Sequence, residues 1–294
     1  MKQSKIGILP FWLKLYDDID RGARPRIEEF VRTVAQAFER RGVAATSAPV
    51  CRLEKEFDAA VKRFEREEVD AIVTLHLAYS PSLESAGALA RTRLPILVLD
   101  TTPTFAFGPG QDPAEIMYNH GIHGVQDMCN LLVRNGKPFL IAAGHWERSD
   151  VVDRIVRHLP AARMAAVMGR GRVGLMGTSF KGMGDFYTPP AKLKATVGGT
   201  VKALDAETLS KLVAAVKPAE VEAEMAEDRG RFDGADAGGP ATEAHRRSVR
   251  MGLAVRRWIE RERLGAFTFN FLDMKKKAGH LTLPSLGASR AMAR

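Results

Sequence analysis

The sequence predicts an α/β fold: a doubly wound parallel sheet over residues 1–165, then a second α/β domain over 166–294 that ends without an obvious closing element. Three observations carry this reading. Short apolar runs alternate with stretches of helical periodicity through the first half, the mark of a parallel sheet covered by helices on both faces. Polar segments follow three of those runs, as loops at the carboxyl ends of such strands do. From about Ala165 the texture changes, with glycines between strand-like runs and long charged helical stretches beyond them.

Residues 5–9 form the first strand-length run. Ile27, Phe30, Val31, Val34 and Phe38 recur at three- and four-residue steps, one face of a helix that Gly42 closes. Residues 43–50 read as a weaker second strand, and Phe57, Val61 and Phe64 as the stripe of a second helix. Residues 71–75, 96–99 and 139–143 are the next three strands, with helix-length segments at 83–91 and 114–132 between them. Their polar followers are residues 76–81, 100–104 and 144–147.

In the second domain, residues 165–168 and 172–176 are strand-like and joined by a Gly-Arg-Gly turn. A glycine-rich stretch over 177–185 comes next, then a charged helical stretch over 205–228 and a Gly/Asp/Ala-rich segment over 230–240 that reads as flexible loop. A basic amphipathic helix over 243–264 and a strand over 267–272 complete the pattern. No internal repeat or low-complexity tract interrupts it.

Composition narrows the function classes. At 294 residues, 45% hydrophobic and 27% charged, the chain is long enough for two globular cores. No apolar run approaches the roughly 20 residues that span a bilayer, and the first residues run into Asp17-Asp18 with no cleavage site for a signal peptide. The two cysteines, Cys51 and Cys129, belong to no metal or redox spacing, so the cytoplasm is the expected compartment. The net charge of +9 is spread among acids on helical faces with no aromatic stacking series beside it, which argues against nucleic acid as a partner.

Several motifs fall away on physical grounds. Gly169-Arg170-Gly171-Arg172-Val173-Gly174 matches a dinucleotide fingerprint in letters, but no helix opens after it to face a pyrophosphate. It reads instead as a tight turn between two strands. No Gly-x-Ser-x-Gly elbow occurs. His120 and His123 are spaced to share one face of a helix start, yet a metal site needs further protein ligands and only Asp127 is in register nearby. His76 and His145 lie on other loops.

Four segments, in order, resemble the L-arabinose and L-fucose isomerase group of sugar isomerases: Leu15-Tyr16, the loop from His76 to Pro81, the run from Asn119 to Asp127 with Gly144-His145-Trp146, and the run from Phe267 to Asp273. The arabinose branch is the closer. The resemblance implies a Rossmann-like first domain, a central α/β domain, and an aldose–ketose isomerase moving hydrogen between C1 and C2. It implies a divalent manganese-type ion with glutamates as acid and base, a small-molecule sugar as substrate, and a homo-oligomer. On the same resemblance Tyr16, His120, His123, Phe180 and Phe271 line the substrate pocket, the first three serving an adjacent subunit. The family's metal-ligand glutamates and histidines are expected beyond Arg294, so the catalytic residues stay unassigned and this chain alone is expected to lack turnover. Leu13 and His120 stand where the arabinose branch has glutamines, and Phe180 where it has methionine, which puts arabinose itself in question as the substrate. The rival reading is a non-catalytic sugar-binding α/β protein.

Overall fold

Seven residues, Lys5–Phe11, open the first sheet as β1. The computed structural model describes residues 3–20, 22–180, 182, 184, 187–232, 239–273 and 283–292. The chain divides into two compact units, Met1–Val167 and Met168–Arg294.

In the first unit β1 is joined by β2 (Ala44–Ser47), β3 (Ala71–His76), β4 (Ile96–Asp100) and β5 (Phe139–Ala143). All pair in parallel, in the order β2-β1-β3-β4-β5. The helices are α1 (Lys14–Ile19), α2 (Ala23–Glu39), α3 (Glu54–Arg66), α4 (Ser82–Arg91), α5 (Ile116–Asn119), α6 (Gly121–Arg134) and α7 (Val151–Arg170). Side chains alternate faces along a strand, so the sheet feeds two cores. Ile6, Ile8, Val73, Leu75, Leu97 and Leu99 pack with Val34 and Phe38 of α2 and Ile155 and Leu159 of α7. Leu9, Ile72, Ile96 and Val98 pack on the other side with Phe57, Phe64, Leu89, Met128 and Leu132 from α3, α4 and α6. Burial on both faces is why these strands read as unbroken apolar runs.

In the second unit β6 (Arg172–Met176), β7 (Thr200–Leu204) and β8 (Ala266–Phe269) form a parallel sheet in the order β7-β6-β8. With them run α8 (Pro190–Val197), α9 (Ala206–Ala214), α10 (Pro218–Arg231), α11 (Gly239–Glu262) and α12 (Ser285–Met292). Met176, Leu204, Leu209, Met251, Val255, Trp258 and Leu264 form one core. Arg290 of α12 is held against α10 by Glu224 at 2.5 Å and Asp228 at 2.7 Å, and all three side chains are at most 14% exposed.

The structure corrects several readings. Residues 165–168 are not a strand but the last turns of α7, because Ile155, Leu159, Ala162 and Ala166 keep helical spacing into the core and alanine is the best helix former. The Gly-Arg-Gly segment therefore turns a helix into a strand rather than joining two strands. Gly174 lies inside β6, where an added Cβ would stand 2.3 Å from the Trp258 ring, so the fingerprint's last glycine serves packing. The stretch 205–228 breaks before Pro218: Lys217 is extended (φ −74°, ψ 143°), as the residue before a proline prefers. Strand β7 and helix α8 escaped the sequence reading. Of the supposed flexible segment 230–240, residues 230–231 end α10 and residues 239–240 begin α11, while 233–238 lie outside the described residues. Among the described residues no helix is long and apolar enough to cross a membrane.

Candidate functional site

An open parallel sheet offers a crevice where chain direction across the sheet reverses, outside the carboxyl ends of its strands. In the first unit that switch point lies between β1 and β3. Phe11 ends β1 and His76 ends β3, paired in register, and their rings stack with centroids 4.2 Å apart. The segments leaving these two strands line the crevice.

After β1, Trp12 is fully buried and donates from Nε1 to Asp17 Oδ1 at 3.1 Å, which sets the short helix α1 and presents Tyr16. Burial opposes ionisation of Asp17, but bonds and charges from Arg52 and Arg24 outweigh it and hold the carboxyl below its usual range. Tyr118 donates to Asp20 at 2.8 Å and lies 4.0 Å under the Arg26 guanidinium. Arg26 in turn grips Glu115 with both nitrogens, at 2.7 and 2.5 Å. These bonds tie α1, α2 and α5 around the end of β1.

His120 stands between α5 and α6 with its Nδ1 2.5 Å from the Ile116 carbonyl and its Nε2 3.1 Å from the Tyr16 hydroxyl. A carbonyl can only accept, so Nδ1 carries hydrogen, and in the neutral ring Nε2 accepts from the tyrosine. His123 is fixed the same way, Nδ1 donating to the His120 carbonyl at 3.2 Å, which turns Nε2 outward as an acceptor. The two histidine rings are 5.9 Å apart. The first unit thus gathers three of the expected residues, Tyr16, His120 and His123, into one array whose free groups are acceptors, suited to hydroxyl donors.

Two other histidines singled out in the sequence, His145 and His76, do not join them. His145 Nδ1 accepts from the backbone of Glu147 and Arg148 at 3.2 and 3.1 Å, so its Nε2–H faces the Pro103 carbonyl at 3.4 Å and the ring shapes its own turn. His76 is 3% exposed, and burial pushes it down to about 3, so it is neutral. Among the described residues no group of three or more His, Cys, Asp or Glu side chains could hold a metal ion. Burial raises the thiols of Cys51 to about 12 and Cys129 to about 11, which leaves both unreactive.

The second unit repeats the arrangement. Its switch point lies between β6 and β8, and there Leu175, Thr178, Ser179, Phe180, Asn270 and Phe271 line a cleft of about 460 Å³. Phe180 and Phe271 stand 5.0 Å apart and tilted, an aromatic corner with Phe271 half exposed. Asp273 accepts from the Thr178 amide at 2.8 Å and hydroxyl at 2.6 Å, and Asn270 donates to the Thr178 carbonyl at 2.9 Å. Thr178, Asn270 and Asp273 escaped the sequence reading as cleft-shaping residues. For Thr178 and Asp273 the signal available was their position just after strand-like runs, where ligand contacts concentrate; Asn270 lay inside the expected strand 267–272, which in the structure ends at Phe269. Phe180 and Phe271 come together; the two units supply separate sets.

No family model matches the chain. It is 23% identical over 281 residues to an L-arabinose isomerase of Geobacillus thermodenitrificans, a match covering 92% of this chain and 56% of that protein. An L-arabinose isomerase of Geobacillus kaustophilus is 24% identical over 77% of the chain and 46% of its own length. One of Herpetosiphon aurantiacus is 25% identical over 60% and 35% respectively. The chain spans about half the length, or less, of these curated relatives. It is a distant relative of the L-arabinose isomerases, matched over most of its own sequence.

Proposed function

We propose that this chain forms the sugar-holding part of an aldose–ketose isomerase. The observation that carries the proposal is the Tyr16–His120–His123 array at the switch point of the first sheet, in a chain whose relatives are named L-arabinose isomerases. The array presents a tyrosine oxygen and an imidazole nitrogen as acceptors, which suits the hydroxyl hydrogens of a sugar. The Phe180–Phe271 corner in the second unit offers ring faces to sugar C–H groups, beside the Thr178 and Asn270 polar groups. The partners proposed with it are a small-molecule sugar and further copies of the chain, in the cytoplasm, with the array of one copy walling the pocket of the next.

A manganese-type ion fits this reading poorly within the described residues, which bring no three acidic, histidine or cysteine donors together. No step is therefore assigned to one. The second reading, a protein that binds sugar without converting it, is equally compatible with that donor set.

The test is ligand-observed NMR of the purified chain against a panel of aldopentoses and aldohexoses that includes L-arabinose, together with a ketose assay in manganese(II) chloride. Binding of at least one neutral aldose is expected, weakened roughly five- to tenfold by Tyr16→Phe, about the worth of one hydrogen bond. Conversion is expected to stay at background. Absence of binding to every sugar in the panel would remove the proposal. Sugar held tightly by a monomer would favour the non-catalytic alternative, and metal-stimulated turnover would show that donors outside those described complete the site.

A further inference from the structure

The first turn of α6 rests directly on the end of β3. An added Cβ at Gly121 would stand 2.5 Å from the His76 carbonyl oxygen and 3.1 Å from its Cβ. At Gly124 it would stand 2.9 Å from His76 Cδ2 and from the Ser80 amide nitrogen, and 3.0 Å from Ser80 Oγ. Only glycine permits this approach at both positions. Beneath, the imidazole lies on the Phe11 ring at 4.2 Å and 19°, so it is clamped between a sheet residue and a helix backbone. The residues carried by that turn are His120, which caps it, and His123, which sits between the two glycines in sequence.

His76 forms no side-chain hydrogen bond among the described residues, and neither do the neighbouring buried hydroxyls of Ser80 and Thr74. Its ring therefore acts by shape. A leucine or phenylalanine would avoid burying two polar nitrogens but would not match a flat five-membered ring in a gap bounded by Phe11 and Gly124. A neutral ring also suits the positive end of the helix above it, which would repel an imidazolium.

We infer that His76 is a positioning residue for the sugar array: a wedge of fixed thickness that sets the height of the first turn of α6 and with it the reach of His120 to Tyr16 and the outward aim of His123. The inference rests on the reading of Tyr16, His120 and His123 as sugar contacts, and half of its test does not. His76→Ala empties the wedge and lets α6 settle; His76→Phe puts an equally flat but wider ring against Gly124 and displaces α6 while keeping an aromatic ring on Phe11. For each variant of the full chain, the measurements are thermal midpoint, the ring resonances of His120 and His123, and affinity for the aldose bound best by the parent chain.

The expected result is that both folded variants shift the His120 and His123 ring signals and bind the sugar roughly tenfold more weakly, one hydrogen bond's worth of misplacement. Lower thermal stability with unmoved histidine signals and unchanged affinity would mean a core residue and nothing more, and would overturn the inference. If His76→Ala fails to fold, His76→Phe decides alone. If the parent chain binds no aldose, the functional proposal fails, while the histidine signals still decide whether His76 sets the position of α6.

Discussion

At the end of β3, an imidazole buried to 3% exposure beside Phe11 has a consequence for stability as well as for placement. Burial lowers the folded-state value of His76 to about 3, whereas the unfolded chain protonates it near the ordinary histidine value. Below about pH 6.5 the unfolded state then binds a proton that the folded state refuses, so stability falls as pH falls, down to about pH 3. At pH 5 the deficit amounts to about 2 kcal/mol relative to pH 7. Asp100, which succeeds Leu99 on β4 as His76 succeeds its partner Leu75 on β3, is pushed upward by burial and acts in the opposite sense. Comparison with His76→Phe separates the two, because that variant keeps Asp100 and loses the histidine. Urea denaturation at pH 7 and pH 5 should show the parent losing more stability than the variant; equal losses would mean His76 takes up a proton in the folded protein. Sequence alone placed His76 in a polar loop. Its burial became visible only when the glycines of α6 were found lying on it.

Elements were legible where their signal is local and obscure where it depends on a neighbour. The stripe of Ile27, Phe30, Val34 and Phe38 announced α2 because helical periodicity is written within the helix itself. Strand β7, with four of its five residues only half-buried or exposed and Lys202 in its middle, has no such stripe and takes its pairing from β6. The alanine-rich end of α7 looked like a strand because a short apolar run fits both periods. Gly174 shows the same dependence. Read in sequence it belongs to a Gly-Arg-Gly-Arg-Val-Gly string; in the fold it is the strand position on which Trp258 of α11 lies. Gly174→Ala should therefore force the indole aside and destabilise the protein by about 1–3 kcal/mol, the usual result of overpacking a filled core. The change should be read by tryptophan fluorescence in variants that retain Trp258 alone among the three tryptophans. An unaltered unfolding midpoint would mean that the α11–β6 contact yields without strain.

Across the whole molecule the two sheets share one topological habit: the first strand of each unit has its second strand on one side and its third on the other. That order places a switch point at β1/β3 in one unit and β6/β8 in the other, each with aromatic and hydrogen-bonding side chains at its carboxyl end. The residues themselves were quotable from sequence only through the resemblance to the sugar isomerases, which names Tyr16, His120, His123, Phe180 and Phe271. Strand order was not, because parallel strands buried on both faces are interchangeable as apolar runs. The grouping into a hydrogen-bonded trio and an aromatic pair depends on that order. Hydrogen exchange offers a test of both sets at once. A ligand present at about a hundredfold over its dissociation constant stabilises the state that binds it by about 2.7 kcal/mol. Amides in residues 12–19 and 120–124, and in residues 178–180 and 270–273, should accordingly exchange more slowly with saturating sugar. Tyr16→Phe should weaken the protection at a fixed sugar concentration, and so should Phe271→Ala, because each removes a proposed sugar contact. Protection confined to amides outside these four segments would place the sugar elsewhere, and the shared strand order would then position no ligand in either unit.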